Sequence, residues 1–232
     1  VNPRDLSAYR PRDQEKFSKA SAEKQIFLEN LRLNITQDDY FFNIQTIRDY
    51  IAQGEVYQIT YCIKLLFKYS GDPFSLYNFL LKEQPVPYPA YIETGKFHIL
   101  SCSPEMFIKK ESDHAVTKPM KGTWRRGDNM ISDIAARLRF QYDFKNRAEN
   151  VMIADLLRND LGRVGRGIEA PKLFEVAKYK TLFQMTSTVT GHVEKDISIY
   201  ELFASLFPSG SVTGAPKIRA MQIIKELERE ER

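Results

Sequence analysis

Three stretches of the sequence place reactive groups in settings that ordinary surface residues do not require. In TKPMKGTWRRG, residues 117–127, a primary amine, Lys121, stands directly before Gly122 and Thr123, in a segment opened by Pro119. Proline and glycine there read as a loop. A lysine in a loop is by default a solvated basic residue, and it gains a chemical role only where other groups converge on it. The second stretch holds Glu149, which shares a helical face with Met152, Ile153, Leu156 and Leu157 and is therefore expected on a buried stripe. An unpaired carboxylate there would cost several kcal/mol of desolvation, so it needs a cation. Either an Arg or Lys supplies it, or a metal ion does, and oxygen ligands alone would suit Mg²⁺. Asp160 falls on the same predicted face and could share either role.

The third stretch is FPSGSVTGAPK, residues 207–217, where small residues lead into a predicted helix. Such a loop exposes backbone N–H groups at the positive end of the helix dipole and suits carboxylates or phosphates. It reads equally as an ordinary helix start, with Pro216 near the first turn and Thr213 or Ala215 as cap. It is not a Walker loop, because the Gly-Lys-Ser/Thr ending is missing. GRVGRG, residues 162–167, follows a helix where a dinucleotide fingerprint must follow a strand. Three scattered histidines and two isolated cysteines, Cys62 and Cys102, offer no zinc spacing and no disulfide framework. No Gly-x-Ser-x-Gly elbow is present.

These groups must be positioned by the elements around them. Thr36 and Asp39 resemble a capping box, and Tyr40, Ile44, Ile47 and Ile51 recur at helical spacing until Gly54. EVYQITYCIKLLF reads as a strand, followed by strand-like runs at PAYIET, FHILSC, MFIKK, HAVTKPM and TSTVTGHV. A second helix is expected from about Lys145 to Asp160, closed by Gly162, and a last one after Pro216 with Ala220, Met221, Ile224 and Leu227 on one stripe. Trp124 and the many Tyr and Phe residues read as core. No regular βαβ alternation is present, so the expected class is α+β, a layered sandwich of largely antiparallel sheets with flanking helices. Residues 1–35 read as a polar, irregular lead-in or the remnant of an N-terminal region, and 36–232 as the main domain.

Composition bounds the function. With 232 residues, 43% of them hydrophobic, the chain can bury a sizeable core. No apolar run approaches the ~18 residues of a membrane span, and no signal peptide opens it, so a cytoplasmic location is expected. The net charge of +4 suits an anionic ligand. Basic residues alternate with acidic ones, which argues against a nucleic-acid partner.

Six ordered blocks then resemble the chorismate-utilising enzymes, the family of anthranilate, aminodeoxychorismate, isochorismate and salicylate synthases. They are GEVYQITYC (54–62), SCSPEMFI (101–108), KPMKGTWRRG (118–127), RAENVMIADLLRNDLGRV (147–164), PKLFEVAKYKTLFQMTSTVTG (171–191) and LFPSGSVTGAPKIRAMQIIKELE (206–228). The resemblance implies a chorismate-binding catalytic domain over 36–232. Within the family a lysine before Gly-Thr goes with aminodeoxychorismate synthase component I and a small residue with anthranilate synthase, and this chain has Lys121. The lysine that activates water in the isochorismate and salicylate enzymes corresponds to Gln58.

The resemblance further implies Lys121 as nucleophile and Glu105 as general acid. It implies Gly122, Thr123, Thr213 and Gly214 as substrate anchors, and Glu149 as a ligand of Mg²⁺. Lys121 must then be neutral, and burial, or Arg125 and Arg126 if they face inward, would lower its pKa. Ammonia would come from a glutamine amidotransferase partner, on the route to p-aminobenzoate and folate. The sister reactions, or a noncatalytic chorismate-binding fragment, are the alternatives. Phe183-Gln184 stands where many relatives carry a His-His pair. The family's later strands, with a second metal-binding glutamate and a substrate-binding arginine, are not found, so the domain is expected to lack its C-terminal part.

Overall fold

A computed structural model of the chain describes residues 27–232. In chain order β1 (Phe27–Leu33), α1 (Gln37–Ala52), β2 (Gln58–Ile59) and β3 (Leu65–Ser70) are followed by α2 (Pro73–Glu83). Then come β4 (Tyr88–Glu93), β5 (His98–Ser103), β6 (Met106–Glu111), β7 (His114–Lys118) and β8 (Met120–Arg125). After α3 (Met130–Gln141) and α4 (Phe144–Gly162) lie the long strands β9 (Gly165–Lys178) and β10 (Leu182–Val193). The chain continues through α5 (Ile199–Leu206), a 3₁₀ turn at Gly210–Val212, β11 (Gly214–Ala215) and α6 (Lys217–Leu227). This is the expected α+β class, with every strand pairing antiparallel.

The main sheet is organised by β10. One of its edges pairs with β9, and the other with β8 along its first half and β7 along its second. Its sequence explains why it sits in the middle: Met185, Ser187, Val189, Gly191 and Val193 alternate as a fully buried face, the period-2 pattern of a sheet covered on one side. Helix α4 packs there, and Ala154 and Leu161 join Ala115, Val189, Val193, Leu202 and Leu206 in one apolar cluster. A second cluster, Phe140, Phe183 and Met185 with Trp124 against them, holds α3 under β8 to β10. Trp124 is half-buried and its ring lies 5.8 Å from that of Phe140, in keeping with a core role. A third, Val56, Ala220 and Ile223, joins α6 to the chain entering β2.

Helix starts follow local chemistry. The Thr36 hydroxyl accepts from the Asp39 amide at the head of α1, the N-cap that the sequence predicts. Asp143 caps α4 in the same way, through the Asn146 amide. Four expectations are corrected. The segment 117–127, read as a loop, instead holds the end of β7 and the whole of β8, interrupted at Pro119. Residues 27–33, read as irregular, form a strand against β3, while the rest of the lead-in before residue 27 lies outside the described residues. The single strand expected over 55–67 is split, because residues 60–64 turn toward other partners: the Cys62 amide donates to Glu228 and the Lys64 amide to Asn34. Neither Thr213 nor Ala215 caps α6, whose N-cap is Pro216 with no side-chain hydrogen bond.

Asp160 resolves to the ion-pair alternative. Its carboxylate, on the buried face of α4, receives the Lys217 ammonium at 2.7 Å, and the same ammonium also donates to the Leu206 carbonyl at 3.0 Å. Both side chains are nearly buried, at 3% and 11% exposure. The pair ties the end of α4 to the starts of α6 and of the 207–217 loop. Lys217→Met strands a buried carboxylate and should cost roughly 3–5 kcal/mol. Asp160→Leu combined with Lys217→Met removes both charges and should cost clearly less, as measured by urea unfolding of the two variants.

Candidate active site

Lys121 is aimed by an irregularity of β8. Thr123 pairs with Gln184 and Met120 with Thr186, so β8 carries one residue more than β10 between these pairs, with a register shift there. The extra residue is a bulge at Lys121–Gly122, the device that re-aims a side chain out of a regular ladder. Gly122 has φ of 89°, and a Cβ on it would lie 2.7 Å from the Asn146 amide oxygen. Both the left-handed backbone and the approach of Asn146 demand glycine here.

From the bulge the Lys121 ammonium reaches Thr60 and donates to its hydroxyl at 3.1 Å. Thr60 directly follows β2 and is fixed by the turn after α5. Its amide donates to the Thr213 carbonyl at 2.7 Å and its hydroxyl to the Ser211 carbonyl at 3.1 Å. The Ser211 hydroxyl and the Met120 backbone amide in turn hydrogen-bond the Glu105 carboxyl group. Glu105 sits in the turn between β5 and β6, which Ser103 closes by donating its hydroxyl to the Glu105 carbonyl at 3.1 Å. Four segments far apart in sequence thus converge, and they bring together the amine and the carboxyl group that the resemblance pairs.

Burial decides the electrostatics of both groups. It pushes the Glu105 carboxyl above the usual carboxylate range, against the hydrogen bonds from Ser211 and Met120 and the charge of Lys121. It pulls the Lys121 amine below the usual lysine range, against the charges of the Glu105 and Glu149 carboxylates. The arginines, whose orientation the sequence leaves open, play no part in this. Arg125 points into solvent with Asp128 at 3.1 Å, and Arg126 pairs with Asp133 at 2.7 Å and with the Tyr179 carbonyl. That network pulls Asp133 down to about 2 and belongs to the start of α3.

Glu149 does not stand on the buried stripe of α4. That stripe is Asn150, Ile153, Ala154, Leu157, Asp160 and Leu161, one residue round the helix from the predicted face. Asn150 is fully buried; it donates to the Met185 carbonyl at 3.0 Å and accepts from the Ser187 hydroxyl. Glu149 lies at the stripe's margin, one-third exposed, near enough for its charge to act on Lys121. Its ion pair is with exposed Lys145 at 3.9 Å, a contact of little worth in solvent. Among the described residues no group of three or more His, Cys, Asp or Glu side chains could hold a metal ion.

The remaining candidates differ in what they present. Thr123 is exposed beside Lys121 on β8. Thr213 is buried and donates its hydroxyl to the Ser209 carbonyl at 2.9 Å, so that hydrogen is not available to a ligand. Gly214 is buried in the β11–β2 pair, where a Cβ would collide with the Gln58 carbonyl oxygen. The sequence reading missed Thr60 and Ser211, although both lie within the blocks quoted for the resemblance. No helix among the described residues is long and apolar enough to cross a membrane.

The family model for chorismate binding enzymes matches residues 4–232. Aminodeoxychorismate synthase component 1 of Bacillus subtilis is 36% identical over 195 residues, 83% of this chain and 42% of that protein. Anthranilate synthase component 1 of Aquifex aeolicus is 32% identical over 212 residues, 90% of this chain and 43% of that protein. The crystal structure of anthranilate synthase component I from Streptococcus pneumoniae superposes with a TM-score of 0.79 at 29% identity, over 88% of this chain and 45% of that one. The chain therefore spans less than half the length of these relatives. With its family model matched almost end to end and its antiparallel α+β fold shared with a solved member, this chain belongs to the chorismate binding enzyme family.

Proposed function

We propose that this chain carries the chorismate-aminating site of an aminodeoxychorismate synthase component I. The observation that carries the reading is the half-buried Lys121 amine, destabilised as a cation by burial and within electrostatic reach of Glu105. The neutral Lys121 amine attacks C2 of the chorismate ring. The ring double bonds shift, and the C4–oxygen bond breaks as Glu105 gives its proton to the departing hydroxyl, releasing water. The new C2 ammonium returns a proton to the Glu105 carboxylate. Ammonia then adds at C4, the double bonds shift back, and the C2–nitrogen bond breaks with the Glu105 proton returning to Lys121. The C4 ammonium finally gives its proton to the Glu105 carboxylate, which restores the starting form of the site. The net change is chorismate plus ammonia to 4-amino-4-deoxychorismate plus water.

Gly122, Thr123 and the Thr213–Gly214 backbone are the proposed anchors for the substrate. Mg²⁺ binds through one or two carboxylates, with water and substrate oxygens completing its shell. The single, weakly paired carboxylate of Glu149 fits that role without a preformed cage. When bound, the ion would neutralise the charge of a substrate carboxylate. Ammonia is expected from a glutamine amidotransferase partner, and the product would feed p-aminobenzoate and folate synthesis.

Isochorismate formation needs a base for water where this chain has Gln58, whose amide accepts no proton near neutrality. Anthranilate formation is the second reading, favoured by the 32% identity to the Aquifex aeolicus enzyme.

Incubating the full-length protein with chorismate, Mg²⁺ and ammonium should yield aminodeoxychorismate by mass spectrometry, and Lys121→Ala should abolish it. Anthranilate as product would replace this reading with the second. The pH profile of kcat/KM should be a bell. The reactive form, with Glu105 protonated and Lys121 neutral, holds the same number of protons as the form with both groups charged. Activity should therefore rise as pH passes the raised Glu105 pKa and fall as it passes the lowered Lys121 pKa. Glu105→Gln should lower the rate and remove the alkaline limb, leaving activity that rises to a plateau as Lys121 loses its proton.

A further inference from the structure

Thr60 has a hydroxyl with one hydrogen, and that hydrogen is committed. It is donated to the Ser211 carbonyl at 3.1 Å, so only the oxygen lone pairs face Lys121, whose amine must be the donor in the 3.1 Å contact between them. The commitment is enforced by the backbone. The Thr60 amide is pinned to the Thr213 carbonyl at 2.7 Å, and Thr213 holds the 3₁₀ turn closed through the Ser209 carbonyl. The Ser211 carbonyl therefore cannot swing away from Thr60. For a lysine ammonium this contact uses one of three N–H groups. For the neutral amine it uses one of two, and the nitrogen lone pair is then directed away from Thr60.

We propose that Thr60 is a positioning residue for the nucleophile: committed as donor to Ser211, it can only accept from Lys121, and so keeps the amine lone pair free and turned away from the β2 wall. A hydroxyl free to rotate could instead donate to the amine and occupy the lone pair that must attack. Ser211 completes the device, since it meets Thr60 through its carbonyl and the Glu105 carboxyl through its hydroxyl. One residue thus links the support of the amine to the acid. The inference rests on the reading of Lys121 as nucleophile.

Thr60→Val, Thr60→Ser and Lys121→Ala in the full-length protein, assayed with chorismate, Mg²⁺ and ammonium, separate the two ideas. Thr60→Val keeps the shape and deletes the hydroxyl. It should lower kcat by about ten- to a hundredfold with KM for chorismate within about twofold, the pattern of an interaction that matters to the transition state and not to binding. Thr60→Ser restores the hydroxyl and should retain kcat within about threefold of the parent. Should Thr60→Val not fold, Thr60→Ala carries the same comparison against Thr60→Ser. Parental kcat in the hydroxyl-free variant, an equal loss in Thr60→Ser, or a loss carried by KM would each overturn the proposal while leaving Lys121 as nucleophile. Full activity of Lys121→Ala would instead overturn the functional reading itself.

Discussion

The pairing of β2 with β11 is the constraint on which the rest of the site depends. The Tyr57 amide donates to the Ala215 carbonyl at 2.8 Å and the Thr60 amide to the Thr213 carbonyl at 2.7 Å. Two-residue strands are not stable alone, and this pair survives because α6 clamps it. Ala220 and Ile223 pack on Val56, and Arg219 reaches across to Glu55 at 2.6 Å. Glycine at 214 lets the two backbones close to contact. The result fixes Thr60, which supports the amine, relative to Ser211, which supports the acid. A lysine has a flexible four-carbon stem and sets no geometry of its own. Its aim is borrowed from this rigid junction and from the bulge at Gly122.

The same geometry explains why an amine and a carboxyl group of opposite charge do not simply stabilise each other as ions. In water the pair would both be charged; in a dry interior both would be neutral, since separated charges there are expensive to sustain. The site lies between these limits. Three influences favour the Glu105 carboxylate and two carboxylates favour the Lys121 ammonium, yet burial outweighs them in both cases. Each full unit of such a shift corresponds to about 1.36 kcal/mol of preference for the neutral form. Displacing water from the cleft would move both groups further in the same direction, strengthening acid and nucleophile together. Arg126, which might have served the lysine, is held by Asp133 and adds nothing to this balance.

Elements whose signal is local were legible in the sequence. Helix α1 has its period and its Thr36 cap, and the second part of β10 has its β-branched run at 186–193. Helices α2, α3 and α5 were not picked out, although Asp72 before Pro73, Asn129 with Ser132, and Ser198 with Glu201 are start signals of the kind that caps provide. The face of α4 was misplaced by one residue for a physical reason. Met152, Ile153, Leu156 and Leu157 straddle two adjacent stripes, and which of them is innermost depends on a polar contact that periodicity does not contain. Asn150 is acceptable in the core only because the Met185 carbonyl and the Ser187 hydroxyl of β10 satisfy it. The break at Thr60 is likewise a tertiary effect, imposed on a β-branched run by the turn at 210–212. The meeting of Glu105 with Lys121 was legible only through the order of the six blocks, since nothing in their spacing brings them together.

Overall identity does not separate the reactions within this family. Relatives named for two different products lie at 36% and 32% identity to this chain, and most of what is shared builds the scaffold. The left-handed backbone of the bulge falls on Gly122 and not on position 121, so it places no such restriction on the side chain there. The restriction comes from the wall opposite. A small residue at 121 would leave the Thr60 lone pairs facing the cleft without a donor, and Lys121 without Thr60 would have to find another acceptor for its amine. The two positions are therefore coupled energetically through one hydrogen bond. On the proposed reading, that contact separates an active site that attacks the ring itself from one that leaves attack to a small nucleophile.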